Sequence, residues 1–266
     1  MELMIANNAL IYLKIYETTL QNYYSSKLCF LNEGFDDGQK IVIHSADYLG
    51  YNKEIEEYFF PCDITTYQQC FLFRLVIDSL QLKRGNLPLH AAAVSDGKQT
   101  IIIVAKPGKG KSYISDTLCN LFPECYTIGD DHIIITSDHI QGNLKRRIRS
   151  LDGKICRYRR NTGLDTLHPM VFICFELEEN IQKVYHLSLS QASEYFSVAS
   201  AFKYLNEIFI HNKQSYRADV LTDIDIREVY STIFHSFLDK NEILLICGTQ
   251  EYAIKYISSM IKEGRR

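Results

Sequence analysis

The sequence lacks the features of several protein classes. None of its apolar runs approaches the ~20 residues that a membrane-spanning helix needs, so we expect no membrane segment. The first residues include an early acid and no basic stretch, which argues against a secretory signal. There is no internal repeat, no low-complexity linker and no tryptophan, although the lack of tryptophan excludes no function.

An excess of charge of one sign is also missing. The formal net charge is −3 at pH 7, so no overall field attracts the protein to nucleic acid or to an anionic membrane. The eight cysteines form no C-x-x-C pair and no cluster with histidine at zinc-site spacing, which excludes the common structural zinc sites. Several cysteines lie in apolar runs. We therefore expect reduced thiols in a cytoplasmic protein, with neither nucleic acid nor a membrane as a partner.

The most informative motif that is present is a phosphate-binding loop, AKPGKGKS, over Ala105–Ser112. The loop follows the apolar run Thr100–Val104 and precedes a segment with apolar residues at helical spacing, so the order is strand, loop, helix. In the pattern G-x-x-x-x-G-K-[ST], backbone N–H groups at a helix N-terminus hold phosphates. Lys111 would bridge the β- and γ-phosphates, and Ser112 would ligate Mg²⁺. The residues expected to contact the nucleotide are Pro107, Gly108, Lys109, Gly110, Lys111, Ser112 and Tyr113.

The loop departs from this pattern at its first position, where Ala105 replaces glycine. Glycine can take a positive φ there, which alanine resists. A surface turn rich in glycine and lysine is the alternative for the segment, but the flanking strand and helix favour a phosphate site. We expect ATP as the donor, and pyrophosphate or another phosphate compound stays open as an alternative.

Two adjacent carboxylates, Asp130 and Asp131, follow the loop about twenty residues after Lys111. They stand between an apolar segment ending at Ile128 and the run His132–Thr136, and hence at the edge of a strand. Such a pair suits a metal ligand and a general base, with one carboxylate supporting Mg²⁺ and the other accepting a hydroxyl proton. A solvated Gly-Asp-Asp turn is the alternative.

A histidine lies on the other side of the loop. His90 belongs to the run Leu89–Val94, which predicts a strand beside the phosphate site. A lone histidine in a strand is more often a core residue than a catalytic one, so both interpretations stay open at this point.

A basic run follows the carboxylates: Lys145, Arg146, Arg147, Arg149, Lys154, Arg157, Arg159 and Arg160. It is either a solvated charged loop or the source of an arginine that reaches the migrating phosphoryl group. The pattern does not indicate which arginine that would be.

Two domains are predicted. Residues 1–84 read as a small α+β domain, with antiparallel strands within Ala9–Tyr16, Lys27–Leu31 and Lys40–His44 and a helix over Tyr67–Leu82. Substrate recognition is a candidate role for this domain. Residues 85–266 read as an α/β catalytic domain, whose later elements are a strand at Met170–Phe175, a helix at Gln191–Ile210, a helix at Asp223–Phe237, a strand at Glu242–Cys247 and a helix at Glu251–Ile261.

Taken together, Leu89–Val94, Ala105–Ser112 and Ile128–Asp131 resemble the catalytic domain of the HPr serine kinase family. The resemblance extends to His186–Ala192 and covers roughly residues 85–250. It is strongest to the shorter relatives found beside peptide-modification genes, including kinases of lasso-peptide precursors. The resemblance implies a P-loop kinase fold shared with phosphoenolpyruvate carboxykinases, built on a mixed sheet.

The same resemblance implies a role for each matched residue. Asp130 would be the general base toward the acceptor hydroxyl, Asp131 and Ser112 would hold Mg²⁺, and His90 would position the γ-phosphate or the base. Lys111 would bind the β- and γ-phosphates of ATP. Family members assemble as hexamers, and the sequence leaves open whether this chain forms a homo-oligomer.

The leading hypothesis is an ATP- and Mg²⁺-dependent kinase that transfers the γ-phosphoryl group to a hydroxyl, on a serine of a peptide or protein. A kinase of a small molecule such as free serine is one alternative. A regulatory module that binds the nucleotide without transferring phosphate is another. The intact pair of aspartates favours an enzyme over this module.

Overall fold

The computed structural model describes residues 2–5, 11–14, 39–62, 64–142, 149–151, 154–156, 164–198, 208–211 and 214–263. Within these ranges the chain is mixed α/β, as predicted, and contains 19 strands and five α-helices. It divides into two compact units, one of residues 1–88 with 200–234 and one of residues 89–199 with 235–266. The sequence pattern places residues 200–234 in the second domain, whereas in the structure they group with the first unit.

The first unit begins with β1 Glu2–Ile5, β2 Ile11–Lys14, β3 Gln39–Ala46, β4 Gly50–Asn52, β5 Glu57–Pro61 and α1 Thr66–Lys83. The strands form one sheet in the order β2-β1-β3-β5-β4. The helix is the predicted one, and the Thr65 and Gln68 side chains form a capping box at its start. The strands predicted within Ala9–Tyr16 and Lys40–His44 are present as β2 and β3, and both pair antiparallel with β1. The sheet as a whole is mixed, because β5, which was not predicted, is parallel to β3. At the edge of the sheet, β4 folds back antiparallel on β5. The predicted strand Lys27–Leu31 lies outside the described residues.

The next elements are β6 Leu87–Leu89, β7 Ala92–Ser95, β8 Thr100–Val104, α2 Lys111–Leu121, β9 Tyr126–Gly129, β10 Ile133–Ile135, β11 His139–Gly142, β12 Arg149–Leu151, β13 Lys154–Cys156, β14 Leu164–Thr166, β15 Met170–Leu177, β16 Lys183–His186 and α3 Leu189–Val198. The last elements are β17 Ile208–His211, β18 Gln214–Arg217, a 3₁₀ turn at Ala218–Leu221, α4 Ile226–Leu238, β19 Glu242–Gly248 and α5 Gln250–Glu263. The predicted helix Gln191–Ile210 is wrong at its end, because β17 pairs with β18 in a hairpin that begins at Ile208. No helix among the described residues is long and apolar enough to cross a membrane.

A six-stranded sheet in the order β16-β19-β15-β8-β7-β9 is the centre of the second unit. It is a mixed sheet, because β8, β15 and β19 are parallel whereas β7 and β16 run antiparallel to their neighbours. Alternation along β8 turns Ile101 and Ile103 to one face, where they belong to a buried cluster with Ile114 and Leu118 of α2 and Ile257 of α5. The two helices therefore cover one face of the sheet. A second sheet has the order β14-β11-β10-β6.

Candidate active site

The six-stranded sheet brings the candidate residues to one edge, namely the edge at which the carboxyl ends of its parallel strands lie. β8, β15 and β19 are parallel neighbours and end at this edge. β7 runs in the opposite direction, so it begins at this edge shortly after His90. β9 is antiparallel to β7 and ends here, directly before Asp130 and Asp131. Open α/β sheets bind their ligands beyond the carboxyl ends of the strands, and the loop after β8 lies at that position.

The loop presents the start of α2 without a capping side chain. Gly110 is the N-cap residue, and no side chain among the described residues makes a capping hydrogen bond there. The first turn of α2 also contains no acid. Gly108 and Gly110 both have positive φ values, of 79° and 100°. Backbone N–H groups and the positive end of the helix dipole are thus available to an anion, which is the chemistry that a phosphate site requires.

Ala105 fits the loop without strain. Glu56 is the one non-glycine residue with a positive φ in the described part of the chain, so Ala105 adopts an ordinary backbone conformation. Its carbonyl accepts a hydrogen bond of 2.9 Å from Nζ of Lys111, and Lys111 is only 6% exposed. The lysine ammonium therefore lies against the loop backbone. The concern that alanine would distort the first position does not apply.

Gln250, which is not among the predicted site residues, contacts the loop from the start of α5. Its Nε2 donates to the carbonyl of Lys109 at 3.2 Å. A Cβ atom added to Gly110 would overlap the same amide group. The signal in the sequence is that Gln250 follows the last parallel strand, whose carboxyl end is a place where ligands bind in such sheets.

We expect Gly110→Ala to lower the free energy of unfolding by more than Gly108→Ala does. Both substitutions place a side chain at positive φ, at a cost of roughly 1–2 kcal/mol. Gly108 has open space around it, whereas alanine at position 110 displaces the Gln250 amide and loses its hydrogen bond to the loop. Chemical denaturation of both variants, and of Gln250→Ala combined with Gly110→Ala, measures the two contributions. Equal losses for Gly108→Ala and Gly110→Ala would contradict the contact.

The structure places the histidine and the aspartate pair together. Nε2 of His90 lies 3.7 Å from Oδ1 of Asp131. Asp130 is 2% exposed, whereas the side chains of Asp131 and His90 are 13% and 19% exposed to solvent. Asp131 and His90 are thus the more accessible members of the group. His90 was predicted to lie within a strand, and this prediction is wrong. The chain bends at His90 as it passes from β6 in one sheet to β7 in the other.

The position of the aspartate pair is fixed by a close approach of two backbones. Gly129 precedes the pair at the end of β9, and its Cα atom contacts Gly142 at the end of β11 closely enough to exclude a side chain at either residue. Any larger residue at position 142 would push β9 and the aspartates away from β11. This contact was not predicted, because β11 belongs to the second sheet.

Ser112 and Asp131 are the residues that could hold a Mg²⁺ ion. Ser112 is the second residue of α2 and is 7% exposed, and Asp131 supplies a half-buried carboxylate at the same edge of the sheet. The described residues contain no cluster of three metal-binding side chains of histidine, cysteine, aspartate or glutamate. A hydroxyl and a carboxylate fit Mg²⁺, which usually keeps several waters and is shared with substrate phosphates rather than enclosed by protein.

The remaining predicted residues differ in accessibility. Pro107 and Gly108 are exposed, Lys109 and Gly110 are half-buried, and the Tyr113 side chain packs against the buried cluster under the sheet. The side chains of the basic run at 145–160 lie outside the described residues.

No protein-family model matches this chain, and no curated protein matches it in a sequence search.

Proposed function

We propose that this protein is an ATP- and Mg²⁺-dependent kinase that transfers the γ-phosphoryl group to a hydroxyl, with a serine of a peptide or protein as the acceptor. The observation that carries the proposal is the convergence of three parts at one sheet edge: the loop with Lys111, the aspartate pair and His90. A site that only binds a nucleotide has less need of a general base.

The loop would bind and orient the donor. The uncapped N-terminus of α2 offers N–H groups to the β-phosphate, and the Lys111 ammonium exchanges its bond to the Ala105 carbonyl for the β- and γ-phosphates. Ser112 and Asp131 would hold Mg²⁺, whose chemistry is to neutralise phosphate oxygens. Positioning and charge neutralisation account for most of the catalysis in this type of reaction.

Asp130 would serve the acceptor. The acceptor hydroxyl gives its proton to Asp130, and its oxygen forms a bond to the γ-phosphorus. The bond between that phosphorus and the bridging oxygen breaks at the same centre, and ADP leaves. Nε2 of His90 lies 3.7 Å from Oδ1 of Asp131, so His90 would orient the Asp131 carboxylate and the γ-phosphate. The choice of a serine in a peptide or protein rests on the resemblance of these motifs to the HPr serine kinases.

The test is transfer of label from γ-labelled ATP. The purified protein is incubated with Mg²⁺ and either serine-containing peptides or small hydroxyl compounds, and an added phosphate is detected by mass spectrometry. We expect phosphorylated peptide and an equal amount of ADP. Label on small compounds alone would favour a small-molecule kinase, and ATP binding without any transfer would favour a regulatory module.

A further inference from the structure

A cavity of about 430 Å³ adjoins the phosphate loop. Ala105, Lys106 and Lys109 of the loop form one wall, and the end of β15 and the helix α3 form the other walls. This volume lies within the range of about 300–1,000 Å³ that is typical of small-molecule sites. Of the residues predicted to contact the nucleotide, Lys109 lines the cavity, whereas Lys111, Ser112, Asp130, Asp131 and His90 do not. The transfer step as proposed therefore leaves this space unexplained.

The cavity and the aspartates lie on opposite sides of the loop. In the sheet, β8 has β15 on one side and β7, followed by β9, on the other. His90 and the aspartate pair belong to the β7 and β9 side, and the cavity belongs to the β15 side. A triphosphate whose γ-phosphate faces the aspartates therefore has its other end directed toward the cavity.

The side chains around the cavity match an uncharged group that carries hydrogen-bond donors. Phe175, Leu177 and the ring of Tyr195 supply apolar and aromatic surface, and Glu176, Glu178 and Glu194 supply carboxylates. Three carboxylates repel a phosphate, but they accept hydrogen bonds from hydroxyl and amino groups. Lys106 and Lys109 lie on the loop side of the cavity, next to the place where the phosphates would bind.

Tyr195 lines this cavity next to Glu176. Its hydroxyl donates to Oε2 of Glu176 at 3.4 Å. Burial, with the nearby Glu176 carboxylate, raises the pKa of Tyr195 to about 12. The hydroxyl therefore keeps its proton in alkaline as well as neutral solution and can donate this bond. The ring therefore lies on the cavity wall beside the Glu176 carboxylate.

We propose that this cavity binds the nucleoside of the phosphoryl donor, with the base against Tyr195 and the ribose hydroxyls donating to the glutamates. This inference rests on the proposed function, and it selects a nucleoside triphosphate over pyrophosphate as the donor. Pyrophosphate would fill the loop and leave the cavity unused. Carboxylates serve as acceptors for ribose hydroxyls in other nucleotide sites.

The test compares the binding of ATP and of inorganic tripolyphosphate by isothermal titration calorimetry. For the unmodified protein we expect both to bind, ATP more tightly. Tyr195→Ala should weaken ATP by about tenfold or more, the range typical of a base stacked on an aromatic side chain, and leave tripolyphosphate unchanged. Tyr195→Phe should keep most of the ATP affinity. Tyr185→Ala is the matched control, because Tyr185 is 44% exposed on β16 and does not line the cavity.

A second variant guards against a folding defect in Tyr195→Ala. Glu178→Trp places a large side chain at an exposed position on the cavity wall, and it should weaken ATP but not tripolyphosphate. If the unmodified protein binds ATP and tripolyphosphate equally, or if both variants leave ATP binding unchanged, the nucleoside site is wrong while the phosphate site stands. If neither compound binds, the proposed function itself is wrong, and the nucleoside site with it.

Discussion

Lys111→Ala should reduce the rate of phosphoryl transfer by about 10²–10³, the loss typical when one electrostatic stabiliser of a transition state is removed. The reason is the position of the ammonium, which lies within the loop at 2.9 Å from the Ala105 carbonyl, at the start of the helix that would hold the phosphates. The measurement is the initial rate of label transfer from ATP at saturating acceptor. Thermal unfolding of the variant shows whether the fold is retained.

Lys98→Ala is the matched control for this variant. Lys98 is exposed in the hairpin between β7 and β8, at the opposite edge of the same sheet. Its substitution removes the same charge from the protein and should leave the rate unchanged. A Lys111→Ala protein that keeps its fold and transfers phosphate at the rate of the Lys98→Ala protein would rule out the loop as the site of transfer.

Asp130→Asn and Asp131→Asn should both lower the rate, but with different dependence on Mg²⁺. The loss of a general base typically costs about 10²–10⁴ in rate, and we expect a loss of that size for Asp130→Asn at every Mg²⁺ concentration. Asp131→Asn should instead raise the Mg²⁺ concentration needed for half-maximal rate, and excess Mg²⁺ should restore part of the activity. Rates measured across a Mg²⁺ titration separate the two roles.

Asp239→Asn serves as the control for the aspartate variants, because Asp239 is exposed just after α4 and away from the sheet edge of the candidate site.

The structure adds one specific alternative for the roles of the two aspartates. Asp130 is more buried than Asp131, and Asp131 is the carboxylate next to His90. If Asp131→Asn shows the loss that Mg²⁺ cannot restore and Asp130→Asn does not, then the two carboxylates have the opposite roles.

Local features of the site were predictable from the sequence. The apolar run Thr100–Val104 and the helical spacing after Ser112 predict β8 and α2, and both are confirmed. The spacing of apolar side chains and the occurrence of glycine and lysine in loops depend on a few neighbouring residues. Such patterns can therefore be recognised from the sequence without any tertiary structure. The turn between β7 and β8 is also of local origin, since the Asp96 side chain accepts hydrogen bonds from the backbone of Lys98 and Gln99.

Contacts between distant segments were not predictable in this way. The bend at His90 arises because β6 and β7 join different sheets, and the parallel pairing of β3 with β5 arises because β4 folds outward. The contact of Gln250 with the loop depends on the position of β19 beside β15. None of these arrangements leaves a local pattern of apolar residues or turn residues.

The sequence by itself determined that this chain has a strand, a loop rich in glycine and lysine and a helix in succession, and that two carboxylates follow at the end of a strand. The tertiary structure alone decided that His90 and Asp131 meet, that Ala105 fits the loop without a positive φ, and that a cavity lies on the other side of β8. The physical reason is that strand order is set by pairing between segments far apart in the chain, and this order determines which loops share an edge of the sheet.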